Sequence, residues 1–313
     1  MCYNSQTMLL KNKFFLVLLL IGLNLAPIHV VAQSTINKNS SYQDFGAWYQ
    51  KNYKLKALPF RAVALIDAQT LQPLYYYQES TTMPTASLMK MLAAGAFLSY
   101  GSPDWFKLVD LTEQENETLL RPYVEPKDNF ALLRLKAGEK ISLEQAFATM
   151  LMGSANNIAV ALPRYLGISR TDFINRMQQT ALNWGMNQTI VDEPSGLSLN
   201  NVSSAKDLAL GTCQAFGNFM TSYYGSQPYL TYDTDIKTHK IISHTVHDVR
   251  NYSQKYWGAK TGYLRETQYH LAAGVITPQG RKLCLTVLTS PSRALSEQTG
   301  EALRQWADKM YQW

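Results

Sequence analysis

Strand-like runs stand at both ends of this chain with helix-like runs between them, and that order narrows the folds open to it. Arg61–Asp67 and Leu74–Gln78 alternate apolar and polar side chains around Ala68-Gln69-Thr70-Leu71-Gln72-Pro73, the pattern of a hairpin. Leu271–Thr277 and Lys282–Thr289 repeat it around Pro278-Gln279-Gly280. The reading is a mixed α/β (α+β) domain whose first and last segments share one sheet.

The middle of the chain reads as helices. Ser142–Leu151 opens with Ser142 and Gln145 at capping-box spacing and stays apolar as far as Gly153. Asn157–Leu166 follows, then Thr171–Trp184, which has an acid in its first turn and stops at Gly185, and then Lys206–Phe216. The polar and aromatic stretch beyond Phe216 shows no assignable order. Ser292–Tyr311 is amphipathic, with Leu295, Ala302, Leu303, Trp306 and Met310 on one side, and is expected to pack on the sheet rather than bind lipid.

With 313 residues, 46% of them hydrophobic, the chain can bury a sizeable core. It has no internal repeat and no linker rich in Pro, Gly or Ser. The net charge of +6 suits peripheral association with an anionic wall or membrane surface. No Lys/Arg cluster interleaved with aromatics points to nucleic acid.

Lys11 and Lys13 precede the apolar run Phe14–Leu23, and Val30-Val31-Ala32 offers small residues before a cut ahead of Gln33. The run is short for a membrane span, which needs about 20 apolar residues. Residues 1–32 are therefore expected to be a cleaved signal peptide, 33–57 an N-terminal lead-in and 58–313 the functional domain, exported to the periplasm. Only Cys213 and Cys284 remain in the exported part. A disulfide and two buried free thiols are both open readings.

The chemistry starts in Pro84-Thr85-Ala86-Ser87-Leu88-Met89-Lys90-Met91-Leu92-Ala93-Ala94, an apolar helix carrying one lysine and a serine. At 3.6 residues per turn Ser87 and Lys90 share a face, which places a hydroxyl beside an amine. A serine needs a neighbouring base to become a nucleophile, and a lysine serves only once burial or a nearby cation favours its neutral form. Leu88, Met89, Met91 and Leu92 supply the burial, and Lys260 is the candidate cation. Alone, Lys90 reads better as a snorkelling side chain, and Ser87 has the bland reading of a helix cap.

Two further signals decide. Ser154-Ala155-Asn156 stands at a helix break after Gly153, and Lys260-Thr261-Gly262 occurs once. The order Ser-x-x-Lys, Ser-x-Asn, Lys-Thr-Gly is that of serine acyl-transfer enzymes of the penicillin-binding and β-lactamase type. Ser203-Ser204-Ala205-Lys206 fails that order, and Ser198-Leu199-Asn200 is set aside because it reads as an open loop. Ser154 could relay a proton to a leaving nitrogen and Asn156 could hold Lys90. Lys260 and Thr261 could bind a carboxylate, while Gly262 lets a ligand lie against the strand edge.

From Leu58 to Trp313 the chain resembles the D-alanyl-D-alanine carboxypeptidase and endopeptidase family, the low-molecular-mass penicillin-binding proteins. The likeness also rests on Lys136-Ala137-Gly138-Glu139, Glu193-Pro194-Ser195-Gly196-Leu197, Ser204-Ala205-Lys206-Asp207-Leu208-Ala209 and Gly258-Ala259-Lys260-Thr261-Gly262-Tyr263. The resemblance implies a five-stranded antiparallel sheet flanked by helices beside an all-helical region. It implies acylation of Ser87 by peptidoglycan peptides ending in D-alanyl-D-alanine, and by β-lactams. The backbone N–H groups of Ser87 and Tyr263 would form the oxyanion hole, and no metal or organic cofactor is implied.

Leu264-Arg265-Glu266-Thr267-Gln268-Tyr269-His270-Leu271 departs from the family pattern, which has a threonine and then an Ala-Gly pair. The lost glycine and added bulk fall beside the substrate strand, so the departure bears on which peptide fits. The chain ends at Trp313, where many carboxypeptidases continue into a C-terminal β-rich domain and an anchor. That favours a periplasmic enzyme of the endopeptidase-like branch. A class A β-lactamase would need Glu-x-x-x-Asn, and Glu193 has Leu197 at the fourth place. A wall-peptide-binding protein without turnover is the remaining alternative. His239, His244 and His247 lack ligand spacing for zinc and read as surface histidines on a polar hairpin.

Overall fold

The computed structural model describes residues 36–125, 130–244 and 255–313. The expected signal segment and His247 lie outside them. A five-stranded antiparallel sheet organises the domain, built from β1 (Ala62–Asp67), β2 (Pro73–Tyr77), β5 (Tyr256–Leu264), β6 (Gln268–Ile276) and β7 (Lys282–Ser290) in the order β5-β6-β7-β1-β2. First and last segments do share it: Cys284 of β7 lies opposite Ile66 of β1, and Thr286 opposite Ala64.

Both faces of this sheet are covered. Ala62, Ala64 and Ile66 of β1 enter one core and Val63 and Leu65 enter the other, the two-residue alternation that a strand imposes. On the first face lies the helical region; on the second lie α1 (Phe45–Tyr53) and α8 (Arg293–Met310). Ala302, Leu303, Trp306 and Met310 of α8 are buried there, as their spacing predicts.

Residues 36–57, expected as a lead-in, belong to that second layer. Asn37-Lys38 pairs with Tyr311-Gln312. Asp44 caps α1 by accepting from the Ala47 N–H, and Phe45 packs among the rings of Tyr49, Tyr75 and Trp306.

The helical region surrounds α2 (Met89–Leu98), which is apolar and buried almost all round. Against it lie α3 (Leu143–Met152), α4 (Asn156–Leu166), α5 (Arg170–Asn183) and α6 (Ala205–Gly217). The capping box of α3 forms in both directions: Gln145 N donates to Ser142 Oγ at 3.1 Å and Ser142 N to Gln145 Oε1 at 2.9 Å. The stretch without assignable order forms α7 (Phe219–Ser226) and a hairpin of β3 (Tyr229–Asp233) and β4 (Thr238–Ile242). Cys213 and Cys284 form a disulfide that ties α6 to β7. None of the described helices is long and apolar enough to cross a membrane.

Candidate active site

Ser87 sits in the 3-10 turn Ala86–Leu88 that runs directly into α2, half-buried, with Lys90 one turn on and fully buried. Lys90 Nζ is 2.9 Å from Ser87 Oγ, 2.6 Å from Asn156 Oδ1 and 2.5 Å from the Ser195 carbonyl oxygen. Asn156 Nδ2 donates to the Ala131 carbonyl at 3.0 Å, which fixes the amide with its oxygen toward the lysine. As an ammonium, Lys90 donates to all three oxygens. As a neutral amine its two N–H bonds go to the two oxygens that can only accept, and its lone pair faces the Ser87 hydroxyl.

Burial pulls the Lys90 amine down to about 7, against the Glu193 carboxylate, which favours the charged form. The expected push from Lys260 is not what lowers it. Coupling between the two lysines shows on Lys260, which burial, then Lys90 and then Arg293, press well below the usual lysine range.

Ser154 lies in the break between α3 and α4 at φ 58°, a left-handed conformation held by the two helix ends around it. Lys260 Nζ donates to Ser154 Oγ at 2.9 Å and to the Thr261 carbonyl at 2.9 Å. Lys260 is itself fully buried behind Ser154 and does not line the cleft; Thr261, Gly262 and Tyr263 do.

Gly262 has a second reason to lack a side chain. A Cβ there would stand 3.0 Å from Ala86 Cβ and 3.2 Å from Ser87 N, so the strand edge and the Ser87 turn are in contact through it. Gly196 presses on the same turn from the other side. Its φ is +85°, and a Cβ would fall 1.9 Å from the Ala86 carbonyl oxygen.

Around Gly196 runs a loop that sequence reasoning read only as a family likeness. Ser195 contributes a main-chain carbonyl to Lys90, and a carbonyl has no signature in a sequence. Ser198, expected in an open loop, is buried, with its hydroxyl donating to Asp192 Oδ2 at 2.5 Å; only Leu199 and Asn200 beside it are exposed. Glu193 is fully buried, holds backbone N–H groups of its own loop and does not line the cleft, so it cannot present a base to water as a β-lactamase glutamate would.

The cleft has a volume of about 850 Å³ and is lined by Ser87, Ser154 and Asn156 between the edge strand β5 and walls that include Tyr123, Phe130 and Leu199. Arg293, at the start of α8, also lines it. His270, the added bulk opposite Gly262, turns away: its Nδ1 accepts from Thr289 N at 3.0 Å and its Nε2 lies 3.1 Å from the Pro84 carbonyl oxygen. Burial holds this ring neutral, down to about 4. The neighbouring Tyr269 does reach the cleft, its ring 4.6 Å from that of Tyr263.

The histidines depart from expectation. His239 is buried, 2.7 Å from Glu139 Oε1, and stacks on Tyr232. Pairing of β3 with β4 turns that side chain inward onto α3, which is why it is no surface residue. His244 borders the cleft. Among the described residues no cluster of three or more His, Cys, Asp or Glu could hold a metal.

Comparison with known proteins agrees with this geometry. The chain is 30% identical over 145 residues to the D-alanyl-D-alanine endopeptidase of Escherichia coli, covering 46% of this chain and 43% of that protein. It is 26% identical over 203 residues to the Haemophilus influenzae D-alanyl-D-alanine endopeptidase, covering 62% and 63%. These matches therefore span less than two thirds of either relative. The crystal structure of a Streptomyces DD-transpeptidase superposes with a TM-score of 0.71 at 21% identity, over 80% of this chain and 97% of that one, which establishes the shared fold. A family model described as D-alanyl-D-alanine carboxypeptidase matches residues 51–292, and the chain belongs to that family.

Proposed function

We propose that this protein is a serine D,D-peptidase that cleaves peptidoglycan stem peptides through an acyl-enzyme on Ser87. The observation that carries the proposal is the Lys90 amine, 2.9 Å from Ser87 Oγ, with both N–H bonds of its neutral form committed elsewhere. Lys90 takes the Ser87 proton as Oγ bonds to the carbonyl carbon of the scissile D-alanyl amide. The backbone N–H groups of Ser87 and Tyr263 meet the oxyanion; one such donor is worth about 3 kcal/mol. The C–N bond then breaks, and Ser154, polarised by Lys260, passes its proton to the leaving amine and receives in its place the proton that Lys90 took from Ser87. Water then adds its oxygen to the ester carbon while Lys90 takes one of its protons, and as the C–Oγ bond breaks Lys90 returns that proton to Ser87.

Asn156 orients Lys90. Thr261 and Arg293 face the space a substrate carboxylate would occupy, with Lys260 behind them; Gly262 and Tyr263 present the strand edge to the peptide backbone. β-Lactams acylate the same serine. Endopeptidase action is the favoured form, because both sequence relatives described above carry that name. Export to the periplasm, after a cut near Ala32, accords with the Cys213–Cys284 disulfide.

The test is to incubate the purified protein with muropeptides of known structure and identify products by mass, beside a Ser87→Ala control. Cross-link cleavage or D-alanine loss is expected with the wild type and neither with the control. Equal activity in both would overturn the assignment, and binding without product would make the protein a wall-peptide receptor.

A further inference from the structure

Among the buried carboxylates outside the mechanism, Glu193 stands in the loop that touches Lys90 and the Ser87 turn. Glu193 Oε2 accepts from Ser195 N at 2.6 Å, while Oε1 accepts from Leu197 N at 2.7 Å, Ser198 N at 3.3 Å and Asn201 Nδ2 at 2.8 Å. Its partner Asn201 accepts from Asp192 N and Glu193 N through Oδ1, and its carbonyl accepts from Thr85 N at 2.8 Å. Both ends of this loop therefore bear on the nucleophile: Ser195 through its carbonyl on Lys90, Gly196 through its contact with Ala86, and Asn201 through Thr85.

We propose that Glu193 is a positioning residue for the Lys90 base, holding the Ser195 carbonyl against the amine and the loop against the Ser87 turn. The inference rests on the acyl-transfer reading and goes beyond it. A carboxylate suits the task because it only accepts, and four N–H donors converge on it. A glutamine would aim its own NH2 at one of those donors and leave a buried N–H unpaired. Charge reaches the Lys90 amine from two sides, Glu193 raising its proton affinity and Lys260 coupled to it by repulsion; α2 and α4 turn no other charged group toward it.

The experiment measures the rate of Ser87 acylation by a fluorescent penicillin from pH 5 to 9, with thermal melts, for the wild type, Glu193→Gln and Glu193→Asp. In Glu193→Gln the plateau is expected to fall at least tenfold and the acid limb to move to lower pH by about 1 unit, because the charge favouring the ammonium is gone. Glu193→Asp keeps the charge but withdraws it by a methylene, so its plateau falls while its limb stays. A Gln variant that folds and keeps both the wild-type plateau and limb overturns the proposal, as does an equal limb shift in both variants. Should the Gln variant fail to fold, the Asp variant decides: a tenfold lower plateau with an unmoved limb supports the proposal, and a wild-type plateau overturns it. No labelling of the wild type at any pH sinks the acyl-transfer reading itself, and this inference with it; a labelled wild type with unmoved variants sinks the inference alone.

Discussion

Lys90 is the one cation in an apolar helix, and the proposal that it acts as the base rests on what its nitrogen cannot do elsewhere. Two acceptor oxygens fix its N–H bonds, so the lone pair has one direction left, toward Ser87. Lys90→Ala is expected to slow acylation of Ser87 about a thousandfold with the fold intact by circular dichroism. Lys90→Arg is expected to be no better, since a guanidinium does not give up its proton. The pH dependence follows from the direction of the shift. With the amine lowered to about 7, the active neutral form is present above that value and lost as the pH falls through it, so acylation should drop about tenfold per unit below pH 6. A rate flat from pH 5 to 8 would show that some other group takes the proton. Ser87, Lys90, Ser154 and Asn156 were legible because helical periodicity and motif order are properties of side chains. Ser195 was not, because its contribution is a carbonyl; nor was the true influence of Lys260, which depends on which of two buried amines the surroundings desolvate more.

Three elements converge on the Ser87 turn: α2 continues from it, β5 flanks it at Gly262 and the 192–201 loop flanks it at Gly196. The two glycines give separable tests. Gly262→Ala puts a methyl 3.0 Å from Ala86 Cβ, a contact a small shift of the turn can relieve. Its expected result is about a tenfold loss of acylation rate with a melting temperature close to wild type. Gly196→Ala meets a backbone oxygen at 1.9 Å and also demands a positive φ from alanine. Here a stability loss of about 2 kcal/mol should accompany a larger loss of rate, read by urea denaturation alongside penicillin labelling. The legible elements were those with local punctuation: the capping box of α3, the hairpin of β1 and β2, and the stop of α5 before Gly185. β5 shows no alternation because six of its nine residues are buried, so only the Lys260-Thr261-Gly262 motif, and no periodicity, marked it as a strand edge. The strands of the β3–β4 hairpin could not be delimited for the opposite reason: exposed Tyr229 and Ile242 sit where a polar face is expected, and its buried His239 where an apolar one is.

At the scale of the whole molecule, the sheet is shared by two cores, and the cleft opens where its edge strand meets the helical region. The proposed acyl transfer needs that seam to keep its register, since Ser87 and Lys90 come from the helices while Thr261 and Gly262 come from the sheet. The Cys213–Cys284 disulfide crosses from one to the other through the core, joining α6 to β7 over a sequence separation of 71. Chain-entropy reasoning gives a cross-link over a loop of that length about 4 kcal/mol, most of it acting on the unfolded chain. Because the effect lies in the unfolded state, it should change stability far more than chemistry. The double variant Cys213→Ala/Cys284→Ala is expected to melt about 10 °C below the oxidised wild type. Its rate of Ser87 labelling at 25 °C should stay within about twofold, because neither sulfur touches the cleft. Unchanged melting would mean that the helices and the sheet hold their register by packing alone. A collapsed labelling rate in a folded variant would instead make the cross-link part of what keeps the two halves of the site aligned.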